Sequence, residues 1–174
     1  MRKRLCHWFV VAVSLLVVVG VAFPHEIEIG KAVVLNGMEI EAVYEQPVTL
    51  EPMRGMGPPR DKAEIHLEAE IKAVRGNRWG FEAGSWVPYL TILYRWTKVG
   101  SGETGWGTFK PMVGPEGPHY GANARLEGAG KYRLTYRVEP PSLARHAGDE
   151  EGMPAWFEPF EASWEFTFKG FGKK

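Results

Sequence analysis

The chain has 174 residues, with 21 basic against 21 acidic side chains and a single cysteine. A balanced charge with no basic stripe beyond the first residues excludes the electrostatic footprint of a nucleic-acid binder. With Cys6 as the only thiol there is no disulfide framework, so the core must hold by packing alone.

The chain opens on a basic "MRKR" followed by "LCHWFVVAVSLLVVVGVA", an apolar run without a charge. Gly20 and Ala22 stand at the −3 and −1 positions of a signal-peptidase cut, so residues 1–22 read as a secretory signal peptide. An uncleaved anchor is the alternative, because the run approaches spanning length. Either way, residues 23–174 are expected to form one domain outside the cytoplasmic membrane. Losing Arg2, Lys3 and Arg4 leaves that domain mildly acidic.

Short period-two segments then follow one another. "KAVVL" (31–35) and "MEIEAVY" (38–44) flank Asn36–Gly37, a strong hairpin signal. "AEIHLEAEIKAV" (63–74) is the clearest: Ile65, Leu67, Ala69 and Ile71 point one way, and Glu64, His66, Glu68 and Glu70 the other. "PYLTILYRW" (88–96), "YRLTYRV" (132–138) and "FEASWEFTF" (160–168) repeat the pattern, while "GSGETGWG" and "EGAGK" break the chain with glycines. No stretch after the signal sustains a 3.6-residue apolar period. About seven short strands of this kind predict an all-β fold, an immunoglobulin-like antiparallel β-sandwich whose loops carry the chemistry.

Few residues have ligand chemistry, and each alone has an ordinary explanation. His66 and Glu68 share a strand face that reads equally as solvated polar surface. Met112 reads as a core filler. His119 lies in "GPHYGAN" (117–123), where glycine and proline predict a stiff loop rather than a long strand. His146, in "SLARHAGDEEG", reads as an exposed histidine followed by Asp149, Glu150 and Glu151. Trp79, Trp86, Trp106 and Trp156 read as core or interface, or alternatively as a platform for a binding module. Taken together, three imidazoles and one thioether form a soft set that suits copper. Structural zinc more often recruits thiolates, and hard calcium or magnesium sites use oxygen. Whether the four side chains converge is not fixed by their spacing.

Several stretches carry a resemblance: "LNGMEIEAVY", "AEIHLEAEI", "WVPYLTILY", "PMVGPEGPHYGAN", "RH" before an acidic loop, and "WFEPFEASWEF". In this order they resemble the periplasmic copper-binding proteins of bacterial high-affinity iron uptake, the Fe2+ transport proteins. The resemblance implies an immunoglobulin-like sandwich that forms a homodimer, with copper held by Met112, His66, His119 and His146. Glu68 then stands beside the copper and bears on its position or on iron binding. It further implies a periplasmic accessory protein working with an inner-membrane iron permease, with copper and iron as its ions. One departure is Lys110, where relatives often carry methionine two positions before the ligand methionine. An ammonium there disfavours a second, shifted copper site. The same ligands would also serve a copper chaperone or buffer. Less well supported is a zinc enzyme using His66, His119 and His146 with Glu68 as base. The role of His25, just after the signal, is left open.

Overall fold

A computed structural model describes residues 26–148, 150 and 152–171. The signal-peptide reading of residues 1–22 and the position of His25 lie outside the described residues. Among the described residues no helix is long and apolar enough to cross a membrane.

Among the described residues ten strands run in chain order: β1 (Ile27–Glu28), β2 (Val33–Leu35), β3 (Met38–Glu45), β4 (Ile65–Ala73), β5 (Thr91–Lys98), β6 (Thr104–Thr108), β7 (Lys110–Gly114), β8 (Gly117–Ala124), β9 (Gly130–Glu139) and β10 (Phe160–Phe168). They form two antiparallel sheets, β1-β3-β4-β8-β7 with β2 also on β3, and β10-β9-β5-β6. This is the expected all-β antiparallel sandwich. Asn36 and Gly37 both take positive φ at the β2–β3 hairpin, as a two-residue turn demands.

The apolar halves of the alternating segments meet between the sheets. Ile40, Ile65, Leu67, Ile71 and Tyr120 of the first sheet pack on Ile92, Trp96, Leu134, Tyr136 and Trp164 of the second. Buried tyrosines place their hydroxyls where partners exist. Tyr120 donates to Val87 O at 2.8 Å, and Tyr136 reaches across the core to donate to Glu68 O at 2.8 Å. The second bond ties the backbone of β4 to the opposite sheet at the level of Glu68.

One expectation is overturned. "GPHYGAN" is not a loop but most of strand β8, joined to β7 as a tight hairpin in which Met112 pairs with His119. The prolines are tolerated because of where they fall. Pro111 is on β7, the outermost strand of its sheet. Pro118 precedes Tyr120, where β8 begins to pair with β4, so no ladder bond on that side is lost. The glycine-rich "GSGETGWG" likewise contributes edge strand β6. Gly105 and Gly107 lie against the rings of Trp96 and Tyr94, which leave no room for a Cβ.

Candidate metal centre

The outer face of the first sheet carries the cluster. Cross-strand pairing places His66 between Glu45 and Asn123, and Glu68 between Val43 and Gly121. One pair along, His119 stands beside Met112 on β7. Strand alternation therefore aims His66, Glu68, His119 and Met112 at one spot on the side away from the core.

Although this face points outward, it is not solvated: His66 is 1% exposed, Glu68 2% and His119 6%. The Nε2 atoms of His66 and His119 approach Glu68 Oε1 and Oε2, each at 3.6 Å. That is too long for a hydrogen bond. Ligand atoms from all three residues lie within 4.8 Å of one another. Above Gly121, the point where a side chain would begin is 2.8 Å from His66 Nε2 and 3.1 Å from Met112 Sδ, so the thioether joins the group. A cavity of about 200 Å³ opens here, lined also by Glu45, Leu50 and Glu116. A larger cleft of about 640 Å³, beside Trp79 and Trp156, is lined by no imidazole and no thioether.

Both rings are held with the correct nitrogen free. His66 Nδ1 is 3.0 Å from Asn123 Oδ1. That oxygen also accepts from Val48 N, while the amide nitrogen donates to Val48 O and Pro58 O. Oδ1 is thus an acceptor, and the proton belongs on Nδ1. His119 Nδ1 donates to Gly117 O at 3.2 Å. Each ring therefore presents an Nε2 lone pair to the cavity, the arrangement by which outer partners orient metal-ligating histidines.

The electrostatics ask for a cation. Burial, opposed by the Asn123 bond, lowers the His66 pKa to about 4, and burial lowers that of His119 too. Burial, then the charges of Glu26, Glu45, Glu116 and Glu70, raises Glu68 to about 8. Glu45 rises to about 7, by burial and then by Glu116 and Glu26. The contacts to Glu68 are accordingly neutral imidazoles beside a carboxylic acid, not ion pairs. Among the described residues, two buried side-chain polar atoms lack a partner: Glu68 Oε2 and Trp86 Nε1. An orphaned oxygen on a buried carboxyl group flanked by two imidazole lone pairs, with a thioether close by, fits a bound metal ion that would take the place of the carboxyl proton.

Four of the five expected site residues meet here: His66, Glu68, Met112 and His119. His146 does not line the cavity. It sits exposed on the segment before β10, which packs toward Trp79 through Met153 against Gly80. Asn123, Gly121, Glu45 and Glu116 were not singled out from the sequence. Only "GAN" beside "GPH" hinted at the first two; Glu45 needed the sheet register and Glu116 the turn of the β7–β8 hairpin. Glu70, which shares the strand face, is taken by Lys72 at 2.5 Å. Lys110 lies on the row of Gly121 with its side chain along Gly55. Trp79, Trp86 and Trp156 are packed into the fold, whereas Trp106 is 78% exposed on β6.

Fold and cluster together define a β-sandwich protein with a buried imidazole, thioether and carboxylate centre. The model of the Fe2+ transport protein family matches residues 23–170, and the chain belongs to that family. It is 48% identical over 155 residues to a UPF0423 protein of Brucella abortus, covering 86% of this chain and 85% of the relative. A 34 kDa membrane antigen of Treponema pallidum is 35% identical over 159 residues, covering 87% and 78%. Among solved structures, FetP of uropathogenic Escherichia coli strain F11 superposes with a TM-score of 0.80 at 47% identity, covering 85% of this chain and 99% of FetP. Copper-reconstituted P19 of Campylobacter jejuni gives 0.80 at 43%, covering 86% and 99%. A copper-bound variant of FetP matches equally, at 0.80 and 48%.

Proposed function

We propose that the chain is a copper-binding accessory protein of iron uptake. Copper is held by His66 Nε2, His119 Nε2 and Met112 Sδ, with Glu68 beside it. The observation that carries this reading is the orphaned Oε2 of Glu68, on a buried carboxyl group flanked by two oriented imidazoles near a thioether sulfur. Copper-bound FetP and P19 support the choice of metal. A thioether favours Cu(I) and imidazole accepts either oxidation state, so the centre can supply one-electron chemistry. The same sulfur argues against hydrolytic zinc.

Fe(II) is the cargo in this reading, and hard oxygen ligands are what it needs. Glu68 shares its cavity with the copper ligands and with Glu45 and Glu116, whose charges help to raise its pKa, so a second cation there relieves mutual repulsion. Glu70 contributes less because Lys72 neutralises it. The exposed His146 supplies the missing imidazole from a second copy, which makes the working form a homodimer. Export by residues 1–22 places the domain in the periplasm, where an inner-membrane iron permease receives the iron.

Metal analysis of protein exported to the periplasm tests the centre: copper without zinc is expected. Fe(II) binding to the copper-loaded protein tests the cargo. Glu68→Gln should keep copper and lose iron, and Glu116→Gln should weaken iron further than Glu70→Gln does. Undiminished iron binding in Glu68→Gln would leave a copper buffer as the function.

A further inference from the structure

Gly121 occupies the middle of β8, paired with Glu68 on one side and Lys110 on the other. Nothing in its backbone calls for glycine, since its φ is not in the left-handed region where side chains are strained. Glycine in a strand interior weakens the strand relative to alanine. The reason for it lies in what a side chain would meet. A Cβ would stand 2.8 Å from His66 Nε2, 3.2 Å from His66 Cε1 and 3.1 Å from Met112 Sδ. These three nearest atoms all belong to two of the metal ligands. Gly105 and Gly107, by contrast, make way for core rings, and Gly57 for the backbone of Asn123.

We propose that Gly121 is the residue that keeps the ion's seat open, its missing side chain being the space that His66 Nε2 and Met112 Sδ share. Carbon needs about 3.5 Å or more from its neighbours. An alanine would therefore push the imidazole and the thioether apart and occupy the point toward which both donor atoms converge. Sulfur, on the outermost strand, is the partner freer to leave, so loss of the soft ligand and of Cu(I) comes first. The inference rests on the copper reading above, but it assigns the opening of the site to a residue with no ligand atom of its own.

The test compares wild type, Met112→Leu and Gly121→Ala, titrating Cu(I) and Cu(II) against competing chelators and melting each metal-free protein. The expected result is a loss of Cu(I) affinity of about 100-fold or more in Gly121→Ala, with a metal-free melting temperature equal to or above wild type. A wild type that binds no copper, or whose Cu(I) affinity ignores Met112→Leu, removes the copper reading and this inference with it. A Met112→Leu that weakens Cu(I) beside a Gly121→Ala that binds like wild type overturns the role of Gly121 alone. If Gly121→Ala melts far lower, the double variant Gly121→Ala, Met112→Ala decides. Recovered stability locates the clash at the ligand pair, and no recovery means that Gly121 serves the strand instead.

Discussion

The two outer faces of the sandwich are built from the same alternating pattern and behave in opposite ways. On the second sheet, Lys131 and Arg133 reach Glu165 at 2.5 and 2.9 Å, and Arg137 reaches Glu139 at 3.2 Å. Hydrogen bonds from Lys131 and Arg133 hold the Glu165 carboxyl below its ordinary pKa. On the first sheet, His66, Glu68 and His119 also alternate with core residues, yet they are buried, and burial with other glutamates drives Glu68 up to about 8. A polar strand face is thus surface or site according to what covers it. Here the cover is Val43 on β3, the Leu50 segment and the β7–β8 hairpin. The contrast predicts that substitutions on the first face change metal chemistry, and those on the second change little.

The largest effect is expected from Met112→Leu. Leucine keeps volume and apolarity, so packing should change by less than about 1.5 kcal/mol. Only sulfur is lost, and Cu(I) affinity should fall steeply while Cu(II), held by imidazoles, falls far less. Chelator competition in both oxidation states measures the split. Equal losses for the two ions would mean that the thioether does not select the oxidation state.

Next comes Asn123→Ala, which leaves His66 Nδ1 without its acceptor and the Val48 backbone without two bonds. Loss of an orienting partner of a metal-ligating histidine costs about 10–100-fold in metal affinity. Unpairing buried polar groups costs roughly 1–3 kcal/mol besides. A variant that loses stability but keeps copper affinity would make Asn123 a structural residue only.

The third effect is a pH dependence. Glu68 and Glu45 have folded pKa values raised above the ordinary carboxylate value, so their protonated forms favour the fold. That stability is complete below about 4.5 and is lost as pH rises through about 7 to 8. His66, lowered to about 4, works in the other direction and only on the acid side, below its ordinary 6.5. Between pH 6.5 and 8.5 the carboxyl groups therefore dominate, and metal-free protein should lose on the order of 2 kcal/mol. In Glu68→Gln the decline should be shallower. Denaturant melts at the two pH values check it, and an identical slope in both proteins would show that Glu68 is not the group responsible.

Period-two alternation carried the fold: β3, β4, β5, β9 and β10 all coincide with segments legible as sequence. Glycine and proline misled in two places, "GSGETGWG", which holds β6, and "GPHYGAN", which is most of β8. "GPHYGAN" carries loop signals, but strand prolines cost nothing where no partner needs their N–H, and Pro118, like Pro111 on β7, falls there. His66 and Glu68 were legible as neighbours on one face, and their burial was not, because it depends on the hairpin and the Leu50 segment folding over them. Glu45 is revealed only by its register with His66, and Glu116 only by the turn of the β7–β8 hairpin at the cavity. His146 marks the other limit: expected as a ligand, it lies exposed and outside the cavity, and nothing in the packing of one chain assigns it a metal.

The smallest effect should come from the control face. Glu165→Gln removes the carboxylate shared by Lys131 and Arg133, the most connected acid of the second sheet. All three side chains are exposed, and exposed ion pairs are screened by water and salt. The melting temperature should therefore stay within error of wild type at physiological salt, and copper affinity in both oxidation states should be unchanged. Lowering the salt should reveal at most a slight destabilisation, since screening then relaxes. A change in copper affinity would break the comparison between the faces, because it would mean that the second sheet's outer charges reach the metal through the core. Tyr136 offers a route for such an effect, with its hydroxyl on Glu68 O and its strand neighbour Thr135 bonded to Ser163, two residues before Glu165. Tyr136→Phe separates the two possibilities. It cuts the tie to β4 and leaves every outer charge in place, so copper affinity that follows Tyr136 but not Glu165 keeps the two faces independent.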